Sequence, residues 1–366
     1  MIKMLLPDYK NSIANLPNSV LKYFGVETVG DTLSVFDGFL QKEYKNVVVL
    51  LLDGLGVSTI HEHLKEDGSF IQHLRGEYSS TFPPTTVAAT TSALTGLQPC
   101  EHAWLGWDCY YPQIDKTVTV YLNTVTGTTM PAADYNVAWK YTPYVNVIER
   151  LNKAGHKAYA VTPFMPPNPQ SLEEIIGHIK THCSEPERKY IYAYWPSPDD
   201  FLHRFGGGSK EVFDNLKYLE DKVSALADEL EDTLLVVTAD HGHLNSDSAF
   251  LNDYPDIIEC LERIPSIEPR ALNLFVKKGR EKDLEERFNG KFGDKFVLMT
   301  KEEVLERKLF GTGKEHPLFR SMVGDYIAIA VSDLSIYYTD EPALKSVHAG
   351  MTEAEMKIPF IVYGEK

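Results

Sequence analysis

The chain has 366 residues, of which 43% are hydrophobic and 24% charged, enough to bury a large core and inconsistent with a disordered protein. A formal net charge of −16 argues against a nucleic-acid or anionic-membrane surface, since either demands clustered Lys and Arg. The opening stretch "MIKMLLPDYKNSIANLP" lacks a long apolar segment with a cleavage site, and no later apolar run approaches the ~18 residues of a membrane span. Four cysteines, Cys100, Cys109, Cys183 and Cys260, form no CxxC pair, so a cytoplasmic protein in a reducing compartment is expected.

In chain order, "NVVVLLLD" (46–53) is predicted as the first buried strand. "TFPPTTVAATTSALTG" (81–96) reads as a loop that becomes a helix, because Pro83 and Pro84 cannot join the hydrogen-bond ladder while Val87 to Leu94 can. Thr85 or Thr86 then stands at a helix N-terminus, where a hydroxyl either caps unpaired N–H groups or faces an anion. Helical patterns follow at 144–155, 171–180 and 210–230, alternating with strands at 157–163, 189–195 and 233–240. Two more strand-like runs, "DYIAIAVS" (325–332) and "IPFIVYG" (358–364), lie downstream. Such alternation predicts a mainly parallel sheet covered on both faces, with ligands bound beyond the carboxyl ends of its strands. Shorter strands and the charged helix "GREKDLEERF" mark 271–339 as an α+β insertion within a single domain, 1–366.

Three of the strands run into aspartates: Asp53, Asp199 and Asp240. At one edge of one sheet, three carboxylates are costly without a cation. Histidines accompany them: His203 four residues after Asp199, His241 directly after Asp240, and His348 in a loop feeding the last strand. A lone histidine is usually structural, but carboxylate and imidazole recurring at strand ends suit zinc, or manganese or iron.

Taken together and in this order, the motifs resemble the alkaline phosphatase superfamily, and within it the type I phosphodiesterase/nucleotide pyrophosphatase branch. The resemblance implies a three-layer α/β/α sandwich of the alkaline-phosphatase kind. It also implies two divalent metals, one held by Asp199, His203 and His348, the other by Asp53, Asp240, His241 and the nucleophile. In the family the nucleophile stands nine residues before the Thr-Gly pair that ends its helix. Here that pair is Thr95-Gly96, which selects Thr86, then Thr85. The "TFP" tripeptide that holds the nucleophile in this branch occurs at Thr81, upstream of the two prolines, and ranks last. The implied reaction is hydrolysis of a small phosphate ester, such as a nucleotide, through a phospho-threonine.

Two departures bear on substrate. Trp107 stands where the branch has an Asn that donates to a phosphoryl oxygen, so that help must come from elsewhere, such as backbone N–H groups at the helix start. Phe82, Trp104, Trp107, Tyr110 and Tyr111 are candidates to stack on a flat substituent, with core packing the commoner fate of such residues. No Arg or Lys occurs between Arg75 and Lys116, which favours a diester over a monoester dianion unless Arg204 or Arg320 swings in. His102, His243 and His316 are further polar candidates without an assigned role. The rivals are a phosphomonoesterase or phosphomutase of the same superfamily, and a metal-binding relic without turnover.

Overall fold

A computed structural model describes residues 4–340 and 342–365. Asn46–Leu52 forms the centre of a six-stranded sheet, and each of its residues is buried. Such a run of Val and Leu without alternation is what a strand needs when helices cover both faces of its sheet. It pairs in parallel with Lys189–Trp195 on one side and Thr233–Thr238 on the other, and Lys157–Val161 extends the sheet in the same direction. Lys357–Tyr363 lies antiparallel beside Thr233–Thr238, and Leu74–Ser79 closes that edge. The fold is therefore mixed α/β, with a mainly parallel main sheet.

The covering helices follow from their apolar spacing. Lys210–Glu229 buries Val212, Leu216, Leu219, Val223 and Leu226, alternate steps of four and three that line one face. Ser209 starts it by accepting a hydrogen bond from the Val212 N–H. Removing one of these side chains, as in Leu219→Ala, costs about 2–5 kcal/mol through lost transfer energy and the cavity left behind.

A second, seven-stranded sheet is antiparallel throughout. It draws on two separated stretches: Asp108–Tyr111, Lys116–Thr119 and Thr124–Val125, then Ser266–Glu268, Ala271–Leu274, Phe296–Thr300 and Tyr326–Ala330. The run "DYIAIAVS", whose apolar character matches a strand of the parallel sheet, lies inside this second sheet instead, between Ala271–Leu274 and Phe296–Thr300. Its apolar faces pack against two separate clusters, one with Trp104, Phe310 and Phe319 and one with Leu284, Phe288 and Phe296. Burial on two faces produces the same continuous apolar run in either kind of sheet. Among the described residues no helix is long and apolar enough to cross a membrane.

Candidate active site

The Thr86–Thr95 helix begins where the prolines stop. Thr85 is its N-cap in extended conformation and Gly96 ends it at φ 77°, in the left-handed region a glycine enters at low cost. The Thr85 hydroxyl does not cap the helix. It donates to Glu268 Oε1 at 2.5 Å, and no side chain caps the first N–H groups. Within the helix, Thr90, Thr91 and Thr95 each donate to the carbonyl four residues back, at 2.6–2.7 Å. Thr81 turns its hydroxyl onto Pro83 O in the loop.

Thr86 Oγ1 lies 3.2 Å from His241 Nε2. The same nitrogen is 3.3 Å from Asp53 Oδ1 and 3.6 Å from Asp240 Oδ2. Asp53 ends the central strand, and its other oxygen accepts from Tyr194 Oη. Asp240 Oδ1 accepts from the N–H groups of Gly54 and His241 at 3.1 and 3.0 Å. Asp53 Oδ1 and Asp240 Oδ2 are thus buried carboxylate oxygens with no hydrogen-bond partner. A buried anion left this way is costly, and divalent cations are the natural relief.

A second group gathers beside the first. Asp199 Oδ1 is 3.2 Å from His203 Nε2, 2.7 Å from His243 Nε2 and 3.9 Å from His348 Nε2. Asp199 and His203 share a face because both belong to the Asp199–Phe205 helix. His348 arrives from far downstream because Ser346–Val347 pairs antiparallel with Leu244–Asn245, zipping the "KSVHAG" loop onto the "ADHGH" loop. Candidate ligand atoms of Asp199, His203, His243 and His348 lie within 4.8 Å of one another, as do those of Asp53, Asp199 and His241. His243 belongs to this group, and the signal for it was its spacing two residues after His241.

Burial and neighbouring charge shift the titration of the groups in this cluster. Burial and the nearby Asp53 hold the Asp240 carboxyl well above the usual carboxylate range. Burial opposes protonation of His241, but Asp240 and Asp53 outweigh it and raise the imidazole to about 10. Burial likewise works against ionised Asp199, yet His203 and His243 keep its carboxyl well below the ordinary range. Burial and the neighbouring His241 push His348 well below the ordinary imidazole range. Three carboxylates with the imidazoles of His203, His241 and His348, arranged this way, are a fitting donor set for two divalent cations.

The remaining candidates fall outside this cluster. His102 Nε2 meets Ser92 Oγ at 3.1 Å, along the Thr86–Thr95 helix from Thr86, and burial lowers its pKa to about 3. His316 binds the Cys100 carbonyl through its backbone. Arg204 lies over the Phe205 ring, and Arg320 grips Glu315 through two nitrogens at 2.5 and 2.9 Å. Phe82, Trp104, Tyr110 and Tyr111 are buried, so for these four packing is the outcome. Trp107 alone of the five is exposed, at 36%.

Residues 47–354 match the family described as Type I phosphodiesterase / nucleotide pyrophosphatase. The chain belongs to this family. It is accordingly an enzyme of the phosphodiesterase type, a hydrolase of phosphoric esters. No match is found among curated proteins. Among solved structures, murine ectonucleotide pyrophosphatase/phosphodiesterase 5 is similar, with a TM-score of 0.67 at 16% identity, covering 87% of this chain and 88% of that one. Its inactive threonine-to-alanine variant in complex with AMP gives 0.66 at 16% identity, with 88% of each chain covered. The human counterpart gives 0.64 at 17% identity, with 87% of each chain covered. Identities this low establish a shared fold, here the alkaline-phosphatase-like one.

Proposed function

We propose that the chain is a two-metal phosphodiesterase acting through Thr86. The observation that carries this reading is the 3.2 Å approach of Thr86 Oγ1 to His241 Nε2 beside two orphaned buried carboxylate oxygens, on Asp53 and Asp240. Asp53, Asp240, His241 and Thr86 would hold one cation, and Asp199, His203 and His348 the other, with zinc best suited to the donors and manganese or iron as alternatives. When bound, the cations would lower the pKa of the Thr86 hydroxyl and offset charge developing on the phosphoryl oxygens.

The chain's own residues set the rest. Thr86 Oγ1 forms the new bond to phosphorus while the ester bond to the leaving oxygen breaks, giving a phospho-threonine. Water then displaces Thr86 from phosphorus, and two inversions leave the configuration retained. The uncapped N–H groups at the start of the Thr86–Thr95 helix point the positive end of its dipole at the phosphoryl oxygens, a substitute for the Asn that Trp107 replaces. His243 holds Asp199 in place from 2.7 Å, the usual task of a group behind a metal ligand. The lack of a cationic side chain from Arg75 to Lys116, with Arg320 engaged by Glu315, favours diesters over monoester dianions. Four unpaired, buried cysteines support a cytoplasmic setting.

Steady-state assays test the reading. Thr86→Ala should lower turnover by several orders of magnitude and Thr81→Ala should lower it far less; the reverse ranking would overturn the assignment. Catalytic efficiency should be higher on bis(p-nitrophenyl) phosphate than on p-nitrophenyl phosphate, with zinc and with manganese. A monoester preference with both metals would remove the diesterase reading and leave a two-metal hydrolase.

A further inference from the structure

Glu268 belongs to the second sheet but reaches the start of the helix that carries Thr86. It closes the Ser266–Glu268 strand, is buried, and accepts at Oε1 from the Thr85 hydroxyl at 2.5 Å and from the Trp107 N–H at 3.1 Å. The residue before it is held in an unusual way: Ile267 has φ 78°, a left-handed conformation that a β-branched side chain rarely adopts. Gly106 lies against it, and a Cβ there would stand 3.0 Å from both Ile267 Cα and the Ile267 carbonyl oxygen. Ile267 pairs with Asp108, so the close approach at Gly106 sets the intervening Trp107 N–H opposite Glu268. Backbone strain of this kind persists only where the surroundings over-determine it, and it clusters at functional sites. Here its result is a carboxyl aimed at the residue before Thr86.

Thr85 is the N-cap of that helix, with extended backbone at φ −140° and ψ 149°. From this conformation a threonine hydroxyl ordinarily accepts from the second or third N–H of its helix and so stabilises it. Those N–H groups belong to Val87 and Ala88. No such bond forms, because the hydroxyl is turned onto Glu268 instead. The diversion gives up a cap and leaves the positive end of the helix dipole open beside Thr86 Oγ1.

We propose that Glu268 is a positioning residue for the reaction: by taking the Thr85 hydroxyl as its donor, it keeps that hydroxyl from capping the Thr86–Thr95 helix and leaves the Val87 and Ala88 N–H groups free to meet the phosphoryl oxygens. This rests on the two-metal phosphodiesterase reading and adds how the chain keeps its anion-facing N–H groups open. Glu268 touches neither the reacting hydroxyl nor the metal-binding cluster and acts through Thr85.

Amide exchange and steady-state kinetics on the zinc-loaded protein test it together. Glu268→Leu frees the Thr85 hydroxyl to swing onto the helix, so exchange at the Val87 and Ala88 amides should slow about fivefold, the factor that corresponds to one side-chain cap. In the same variant kcat on bis(p-nitrophenyl) phosphate should fall at least about tenfold with KM changed less, since these N–H groups act on charge that develops in the transition state. Adding Thr85→Val removes the capping hydroxyl and should restore the exchange rate and most of kcat. Glu268→Gln keeps the acceptor and should lie closer to wild type than Glu268→Leu in both measurements. A glutamate that merely supports the fold predicts a double variant no better than the single one, and that result would overturn the proposal. Unchanged exchange at Val87 and Ala88 in Glu268→Leu would do the same. Where Glu268→Leu does not fold, Thr85→Asn supplies a strong cap with Glu268 in place. Slower exchange together with lower kcat in that variant supports the proposal; slower exchange with kcat unchanged overturns it. If the unsubstituted protein does not hydrolyse the diester, the phosphodiesterase reading falls and the proposal with it, while exchange still reports whether Glu268 diverts Thr85.

Discussion

Glu268 is a carboxylic acid held by two neutral donors, the Thr85 hydroxyl and the Trp107 N–H, with no cation in contact. Burial raises its pKa to about 7, against hydrogen bonding from Thr85, with the charge of Asp108 adding to the rise. A carboxyl whose pKa is higher folded than unfolded binds more protons when folded. Its contribution to stability is therefore best below its ordinary pKa of about 4.5, falls as pH climbs toward 7, and is flat above. Ionised Glu268 then costs up to about 3 kcal/mol. Glu268→Gln keeps an acceptor for both donors and should gain stability relative to wild type between pH 5 and 8, read from paired urea titrations; a pH-independent difference would rule out this origin. Asp240 is likewise held above the usual carboxylate range, by burial and by the charge of Asp53. Asp240→Asn removes the orphaned oxygen, so elemental analysis should find about one metal fewer per chain, with the fold retained by circular dichroism. An unchanged metal count would separate Asp240 from the cation.

Two short loops carry most of the donor set, and their glycines allow them to touch. A Cβ on Gly242, between His241 and His243, would stand 2.0 Å from Ala354 O, and one on Gly56 would stand 2.5 Å from Gly242 Cα. Backbone is on the other side of each contact, so no flexible side chain can give way. Gly242→Ala should cost about 1–3 kcal/mol by overpacking, and weaken metal binding about 10–100-fold because His241 and His243 move together. Equilibrium dialysis against zinc reads the second effect. An unchanged affinity would show that the loop shifts without moving its imidazoles. The same logic links the "ADHGH" loop to the "KSVHAG" loop through the Leu244–Asn245 and Ser346–Val347 pairing.

At the scale of the molecule, the second sheet is locked onto the site by one buried ion pair. Arg270, wholly buried, donates to Glu355 from Nε at 2.7 Å and from Nη2 at 3.0 Å, and also to the carbonyls of Ser332 and Leu334. Glu355 in turn accepts from Gly350 N at 2.6 Å and from the Thr352 hydroxyl, which fixes the turn just after His348. Arg270→Met leaves Glu355 charged and unpaired and should cost about 3–5 kcal/mol by chemical denaturation; the double variant with Glu355→Leu should recover part of it. Failure of the second change to recover stability would locate the loss in packing.

The sequence by itself determined the parallel core, the helix start at Thr86 and the order of acidic and imidazole residues, because each is written in local periodicity, in two prolines, or in a strand end. Chain order also carried the family resemblance. Only the tertiary structure decided that "DYIAIAVS" belongs to another sheet, since an apolar run reports burial on two faces and not which faces. It alone brought His243 onto Asp199, turned Thr85 toward Glu268, and set Tyr121 beside Trp107, because these contacts join residues 14 to 183 positions apart. Nothing in the local spacing of a sequence encodes a contact that exists only after separate sheets and loops have closed on one another.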